Sequence, residues 1–200
     1  MSGIPPSLEK LAELMAKFPG IGRKSARRIA FSLLDRPRED IILLARAFLD
    51  VKDNVRRCPV CNHITESEPC DICQNPRRDS SVICVVKDSM DVLAIEKTTV
   101  FHGKYHVLGG LISPLNGIGP DDLSIEPLLI RAKEIHELVF AINSSVEGEM
   151  TMHYIRKMLS NCPVSISYLA RGIPIGSDLE FVDDATLARA LQSRIELKGE

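Results

Sequence analysis

CPVCNHITESEPCDIC, residues 58–73, divides the chain and decides how the rest is read. Cys58, Cys61, Cys70 and Cys73 stand in it as two CxxC pairs separated by eight residues. Each pair offers two sulfurs from one tight turn. A short ribbon lets the pairs converge, so that four thiolates complete the tetrahedron that Zn²⁺ accepts at structural sites. No coordination position is left for water, and one structural ion per chain is expected. Its removal should unfold the knuckle, because apparent zinc binding of roughly 10 to 16 kcal/mol in such sites is also folding free energy. The alternatives are a redox CxxC or two disulfides. A lone redox motif leaves the second pair unexplained, and nothing marks the chain as secreted. His63 lies inside the knuckle, but four cysteines suffice as ligands, so it is expected to be exposed.

Upstream, residues 7–17 (SLEKLAELMAK) place Leu8, Leu11, Ala12 and Met15 at helical spacing behind Ser7 as N-cap. Phe18-Pro19-Gly20-Ile21-Gly22 breaks that helix, and Ala26, Ile29, Ala30 and Leu33 repeat along one face of a second. Arg23, Lys24, Arg27 and Arg28 lie off this stripe at the N-terminal turns, where backbone N–H groups are unpaired and the dipole is positive. Cations are disfavoured at that end, so four of them call for an external anion. Phosphate fits: a Gly-x-Gly bend admits an oxygen close to the backbone, first-turn N–H groups donate to it, and the flanking cations neutralise its neighbours. A solvated basic face is the alternative. The PGIG hairpin followed by a small-residue helix resembles the helix-hairpin-helix motif, and the resemblance implies DNA-backbone contact through Gly20, Gly22, Arg23, Lys24, Arg27 and Arg28. Residues 36–57 continue as a helix through Ile41, Leu44, Ala45 and Phe48, expected to pack on the first two and to lead into the knuckle.

Downstream, the polar string QNPRRDSS marks a boundary near residue 80, and the pattern then changes. Residues 82–86, 105–108, 138–142 and 164–169 read as buried strands, and 89–97, 126–136, 147–160 and 184–195 as helices. This alternation implies a mostly parallel sheet covered on both faces, with ligands at the carboxyl ends of the strands, in loops 87–91, 143–149 and 171–178. The segment resembles a Toprim domain, in which a Glu after the first strand and an Asp-x-Asp after a later one hold Mg²⁺. Here Lys87 stands at the Glu position and Asn143 and Ser145 at the two Asp positions, so a cation and two neutral groups replace the acids. Asp88, Asp91, Glu147 and Glu149 remain. Mg²⁺-dependent chemistry on nucleic acid is therefore the alternative function, not the expected one. Glu147 and Glu149 read either as acids favoured by a helix N-terminus or as a surface for a basic protein partner. The Gly-rich run 109–119 lacks the Gly-Lys-Ser/Thr of a nucleotide loop, and Pro114 interrupts it; a shaped loop is expected. His102 and His106 have no triad partner at a recognisable spacing, and His136 and His153 are assigned no function.

Composition bounds these readings. The 200 residues are 44% apolar, enough for one large or two to three small domains. The opening MSGIPPSLEKL reads as no signal peptide, and Arg46 breaks the most apolar run, so no membrane span is expected. Cys84 and Cys162 read as small core residues, and the reducing cytoplasm is the simplest compartment. The net charge of −2 hides an asymmetry: residues 1–57 carry twelve Lys/Arg against seven Asp/Glu, and residues 79–200 eleven against seventeen. A basic front on an acidic body suits an anionic partner at the front.

Together the hairpin, CPVC/CDIC, the Toprim-like stretch with HVLGGLISPLNGIGP, the VEGE turn and ARGIPIGSDLEFVDDATLARAL resemble the RecR family of bacterial recombination mediators over nearly the full chain. The resemblance implies a multi-domain α and α/β fold: a helix-hairpin-helix bundle over 1–57, a four-cysteine zinc knuckle over 58–80, a Toprim-like α/β sheet over 81–177 and a C-terminal oligomerisation segment over 178–200. It implies a non-enzymatic repair factor, cytoplasmic and nucleoid-associated, that works with RecO and RecF to help RecA load onto single-stranded DNA. It also implies ring-shaped homo-oligomers, commonly tetramers, with Lys24 and Arg28 at the DNA-contact positions, Arg23 and Arg27 beside them, and no membrane partner. The family usually has Glu where Lys87 stands. The string 171–178 is likened in the family to a Walker B strand, but without a P-loop no ATP hydrolysis is expected.

Overall fold

A computed structural model describes residues 3–170, 172–173 and 176–194, and the chain divides into two units, 1–55 and 56–200. In the first, α1 (Pro6–Met15) starts one residue before Ser7, with Pro5 at the N-cap and no side-chain cap. Proline's fixed φ suits the first helical position, so Pro6 takes it and Ser7, expected as the cap, falls inside the first turn. α2 (Arg23–Ser32) buries Ala26 and Ala30. Leu8, Ala12 and Ala30, flanked by Ile4 and Leu11, form the small core between α1 and α2.

α3 (Arg38–Asn54) buries none of its residues. It was expected to pack on the first two helices; what the structure shows is a ring contact between Phe18 and Phe48, centroids 6.2 Å apart, and an open groove of about 640 Å³ between Ile29 and Leu33 on one side and Leu44 and Ala47 on the other. Leu43, Leu44, Phe48, Leu49 and Val51 stay exposed.

The second unit begins with a two-stranded ribbon, β1 (Arg56–Arg57) antiparallel to β2 (Ile64–Thr65), and the short α4 (Asp71–Gln74). There follow β3 (Asp79–Val86), α5 (Ser89–Glu96), β4 (Gly103–Val107), α6 (Glu126–Arg131), β5 (Glu137–Ala141), α7 (Val146–Met158), β6 (Ser165–Tyr168) and α8 (Asp184–Gln192). The sheet runs β4-β3-β5-β6 with every pair parallel. Period-2 alternation along β3 sends Ile83 and Val85 into a core with Leu128, Leu138, Phe140 and Ile155, and Cys84 and Val86 into a second core with Val92, Tyr105 and Val107. Both faces are thus covered, as the sequence pattern implies. Cys84 is buried and Cys162 packs against the first core.

α6 is shorter than expected and ends in a 3₁₀ turn at Ala132–Glu134, because the chain is already extended where His136 N–H donates to Ser81 O at 2.8 Å. The Gly-rich run is a shaped loop: Ser113 pairs with Ile118, and Gly117 takes the left-handed conformation at φ +70°. The expected helix over 184–195 is described to Gln192, residue 195 lying outside the described residues, as do residues 171, 174 and 175 of the string 171–178. Among the described residues no helix is long and apolar enough to cross a membrane.

Candidate nucleic-acid interface and metal centre

Phe18-Pro19-Gly20-Ile21 closes with Ile21 N–H donating to Phe18 O at 3.1 Å. Pro19 presets the second position and Gly20, at φ +79°, supplies the left-handed third. Gly22 is the N-cap of α2 with extended backbone. The first bond of that helix runs from Ala26 N–H to Gly22 O at 2.9 Å, so the N–H groups of Arg23, Lys24 and Ser25 have no helical acceptor. A Cβ at Gly20 or Gly22 would meet nothing within 4 Å. The turn geometry requires glycine at 20, whereas neither packing nor dihedral requires it at 22; what its bareness leaves is open space above the first turn. Arg23, Lys24, Arg27 and Arg28 are exposed around that space, on two adjacent i, i+4 rows. Arg23 and Arg27 also line a groove of about 600 Å³ with Glu9 and Glu13 of α1. The arrangement offers orphan donors, positive dipole and four cations to one anion.

In the second unit the four sulfurs of Cys58, Cys61, Cys70 and Cys73 all lie within 4.8 Å of one another. Sulfurs at about 2.3 Å from a common tetrahedral centre stand roughly 3.8 Å apart, so the set fits a metal ion. Disulfides do not fit: all six cysteines are free thiols, and Cys61 Sγ and Cys70 Sγ are 3.5 Å apart. The first pair is shaped by Asn62 N–H donating to Cys58 O and Cys58 N–H donating to His63 O, each at 2.8 Å. The second starts α4, and the Cys70 N–H lies 3.4 Å from Cys58 Sγ. The Cys73 thiol is lowered to about 6 because Cys61 donates a hydrogen bond to its sulfur; Cys61 is raised by the same bond and by burial, and Cys70 is raised to about 11 chiefly by burial. A divalent cation binds the four as thiolates, so its binding releases the protons they carry. His63 is buried, contrary to the exposed position expected, and its Nδ1 has no hydrogen-bond partner among the described residues. The bond from Cys58 N–H to its carbonyl folds position 63 against the knuckle, and desolvation there lowers its pKa.

The knuckle docks on β4. Asn62 Nδ2 donates to Val107 O and Val107 N–H to Cys61 O, each at 2.8 Å. Lys104 Nζ donates to the carbonyls of Ile72, Cys73 and Asn75 at 2.9 to 3.1 Å. Arg131, at the end of α6, donates to Tyr105 O at 2.9 Å and His106 Nδ1 at 3.1 Å. Neither cation was marked as functional from sequence. The available signal was a lysine inside the buried strand GKYHV and an arginine closing the apolar helix EPLLIR.

At the strand ends, Asp88 and Asp91 form the capping box of α5: Asp88 accepts from Met90 and Asp91 N–H groups, and Asp91 accepts from Asp88 N–H. Lys87 Nζ is 3.7 Å from Asp88 Oδ2. Ser145 caps α7, which carries Glu147 and Glu149 in its first turn; Glu149 Oε1 accepts from Arg189 Nη2 of α8 at 3.2 Å. Among the described residues, the four cysteines are the group of acidic, thiol or imidazole side chains close enough to hold a metal, and these carboxylates do not form one.

The chain is similar to known proteins along its length. It matches the family models described as RecR, helix-hairpin-helix, over residues 8–52; RecR, four-cysteine zinc finger domain, over 55–75; Toprim domain, over 81–170; and RecR, C-terminal, over 172–195. It is 50% identical over 194 residues to the recombination protein RecR of Synechocystis sp., covering 96% of this chain and 83% of that one. With the RecR proteins of Chlorobium limicola and Chlorobium phaeovibrioides the identities are 50% over 196 and 48% over 195 residues, covering 94% of this chain and 96% of each relative.

Proposed function

The chain belongs to the RecR family of recombination proteins, and from that premise we propose that it is a DNA-binding recombination mediator without catalysis of its own, working with RecO and RecF to help RecA load onto single-stranded DNA. The observation that carries the DNA-binding reading is the bare hairpin: Gly20 and Gly22 leave open space above three orphan N–H groups, ringed by four exposed cations. Lys24 and Arg28 are assigned the main phosphate contacts, since Arg23 and Arg27 share their groove with Glu9 and Glu13. Changing Lys24 and Arg28 together to Ala should weaken binding of a labelled single-stranded oligonucleotide at low salt by at least about tenfold, with zinc content and helical signal unchanged. Unaltered affinity would reject the hairpin assignment.

The absence of catalysis is supported by Lys87, Asn143 and Ser145 at the three Toprim acid positions and by the use of Asp88 and Asp91 as helix caps. Supercoiled plasmid incubated with the protein and Mg²⁺ or Mn²⁺ should stay supercoiled; turnover that disappears in Glu147→Ala would establish the enzyme instead. Assembly into a homotetrameric ring is supported by the exposed apolar residues of α3. Glu147 and Glu149 are assigned to a basic protein partner, the protein is placed in the cytoplasm at the nucleoid, and the functional segments are 1–57, 58–80, 81–177 and 178–200.

A further inference from the structure

Arg131 of α6 lines one cavity with Lys104 of β4 and Cys73 of the thiol cluster. Its Nη1 is spent on the Tyr105 carbonyl and on His106 Nδ1, and the other ring nitrogen of His106 bonds the Ser124 carbonyl. A ring that accepts at Nδ1 and donates at Nε2 is neutral, so His106 does nothing to balance the guanidinium charge. Among the described residues Arg131 forms no ion pair with a carboxylate. Glu134 lines the same cavity of about 260 Å³ but is not within pairing distance. Cys73 lines that cavity too, and the four thiols are the groups that favour the charge of Arg131 against its burial.

A cation largely removed from water without a partner is costly, and the cost falls when an anion shares its low-dielectric surroundings. Here the anion arises on metal binding, since a divalent ion on four thiolates leaves two negative charges in excess. Lys104 brings a second cation from β4, its ammonium fixed by the Ile72, Cys73 and Asn75 carbonyls. We propose that Arg131 is the counter-ion of the metal-bound tetrathiolate, so that a residue of the sheet body, some sixty positions along the chain from the cysteines, holds zinc in the knuckle. It is a positioning residue for the centre, not a ligand.

The test uses the full chain loaded with Zn²⁺ and three variants. Arg131→Lys keeps the charge, Arg131→Gln keeps part of the donor set without it, and Arg131→Met keeps much of the volume alone. Zinc transfer to a chromogenic chelator is timed, and thermal unfolding is followed with and without chelator. The Gln and Met variants should release zinc at least about tenfold faster than the parent, as outer-shell changes at metal sites do, and the Lys variant should stay within a few-fold. The gap in melting temperature between metal-loaded and chelated protein should narrow for Gln and Met only. Equal release from Lys and Gln would overturn the charge assignment. So would parental release rates in Gln and Met with loaded and chelated forms melting lower by the same amount, the mark of a packing role. If the Met variant is not recovered folded, the Lys and Gln pair decides. If Gln also fails, recovery of Lys alone supports the assignment and failure of all three rejects it.

Discussion

His106 lies in β4 with no exposed surface, and burial pushes its pKa down to about 4. An unfolded histidine titrates near 6.5, so between about pH 6.5 and 4 the unfolded chain binds the extra proton and the folded one does not. The stability contributed by the neutral ring is fully present above that window and is lost progressively as pH falls through it. Denaturant titrations with excess zinc at pH 7.5 and 5.5 should differ by roughly 1 kcal/mol more in the parent than in His106→Gln. Gly148 is a steric case: a Cβ would stand 2.1 Å from Asn143 O, so Gly148→Ala should cost about 2 kcal/mol or more by denaturant unfolding. Residue identities were legible in sequence where chemistry alone decides, as for the four ligands. His63 was not, because whether a side chain in a sixteen-residue ribbon is exposed depends on how the ribbon folds against its own turn and the sheet.

At the scale of elements, the four strands and the helices between them follow from hydrophobic period, and their boundaries moved by a few residues where proline or strand pairing intervened. Asp88 shows how one residue changes meaning with its element. Read as a leftover acid of a metal site, it proves to be the N-cap of α5, and Asp88→Ala should cost about 1 kcal/mol without changing zinc content. α3 carries an apolar stripe that its own unit leaves uncovered. If that stripe joins subunits, Phe48→Asp combined with Leu44→Asp should shift sedimentation toward smaller species while helical signal persists. A species distribution like the parent's would place the subunit contact elsewhere.

For the whole molecule, a chain of net charge −2 binds DNA only if its basic region meets the strand and its acidic region does not. Each phosphate contact on single strands contributes about −0.7 to the slope of log affinity against log salt, so four cations on one subunit give at most roughly −3. A steeper measured slope requires several subunits on one strand. Sequence by itself determined the zinc ligands, the hairpin with its cations, the alternation of a covered parallel sheet and the absence of the Toprim acids, because each rests on residue types at short, fixed spacing. Only the tertiary structure decided that Lys104 of β4 clasps the knuckle, that Arg131 of α6 reaches the Tyr105 carbonyl and His106 on β4, that Asp88 caps rather than coordinates, and that α3 keeps its apolar side open. Those outcomes depend on which distant segments approach one another and which face each buries, and no local pattern carries that.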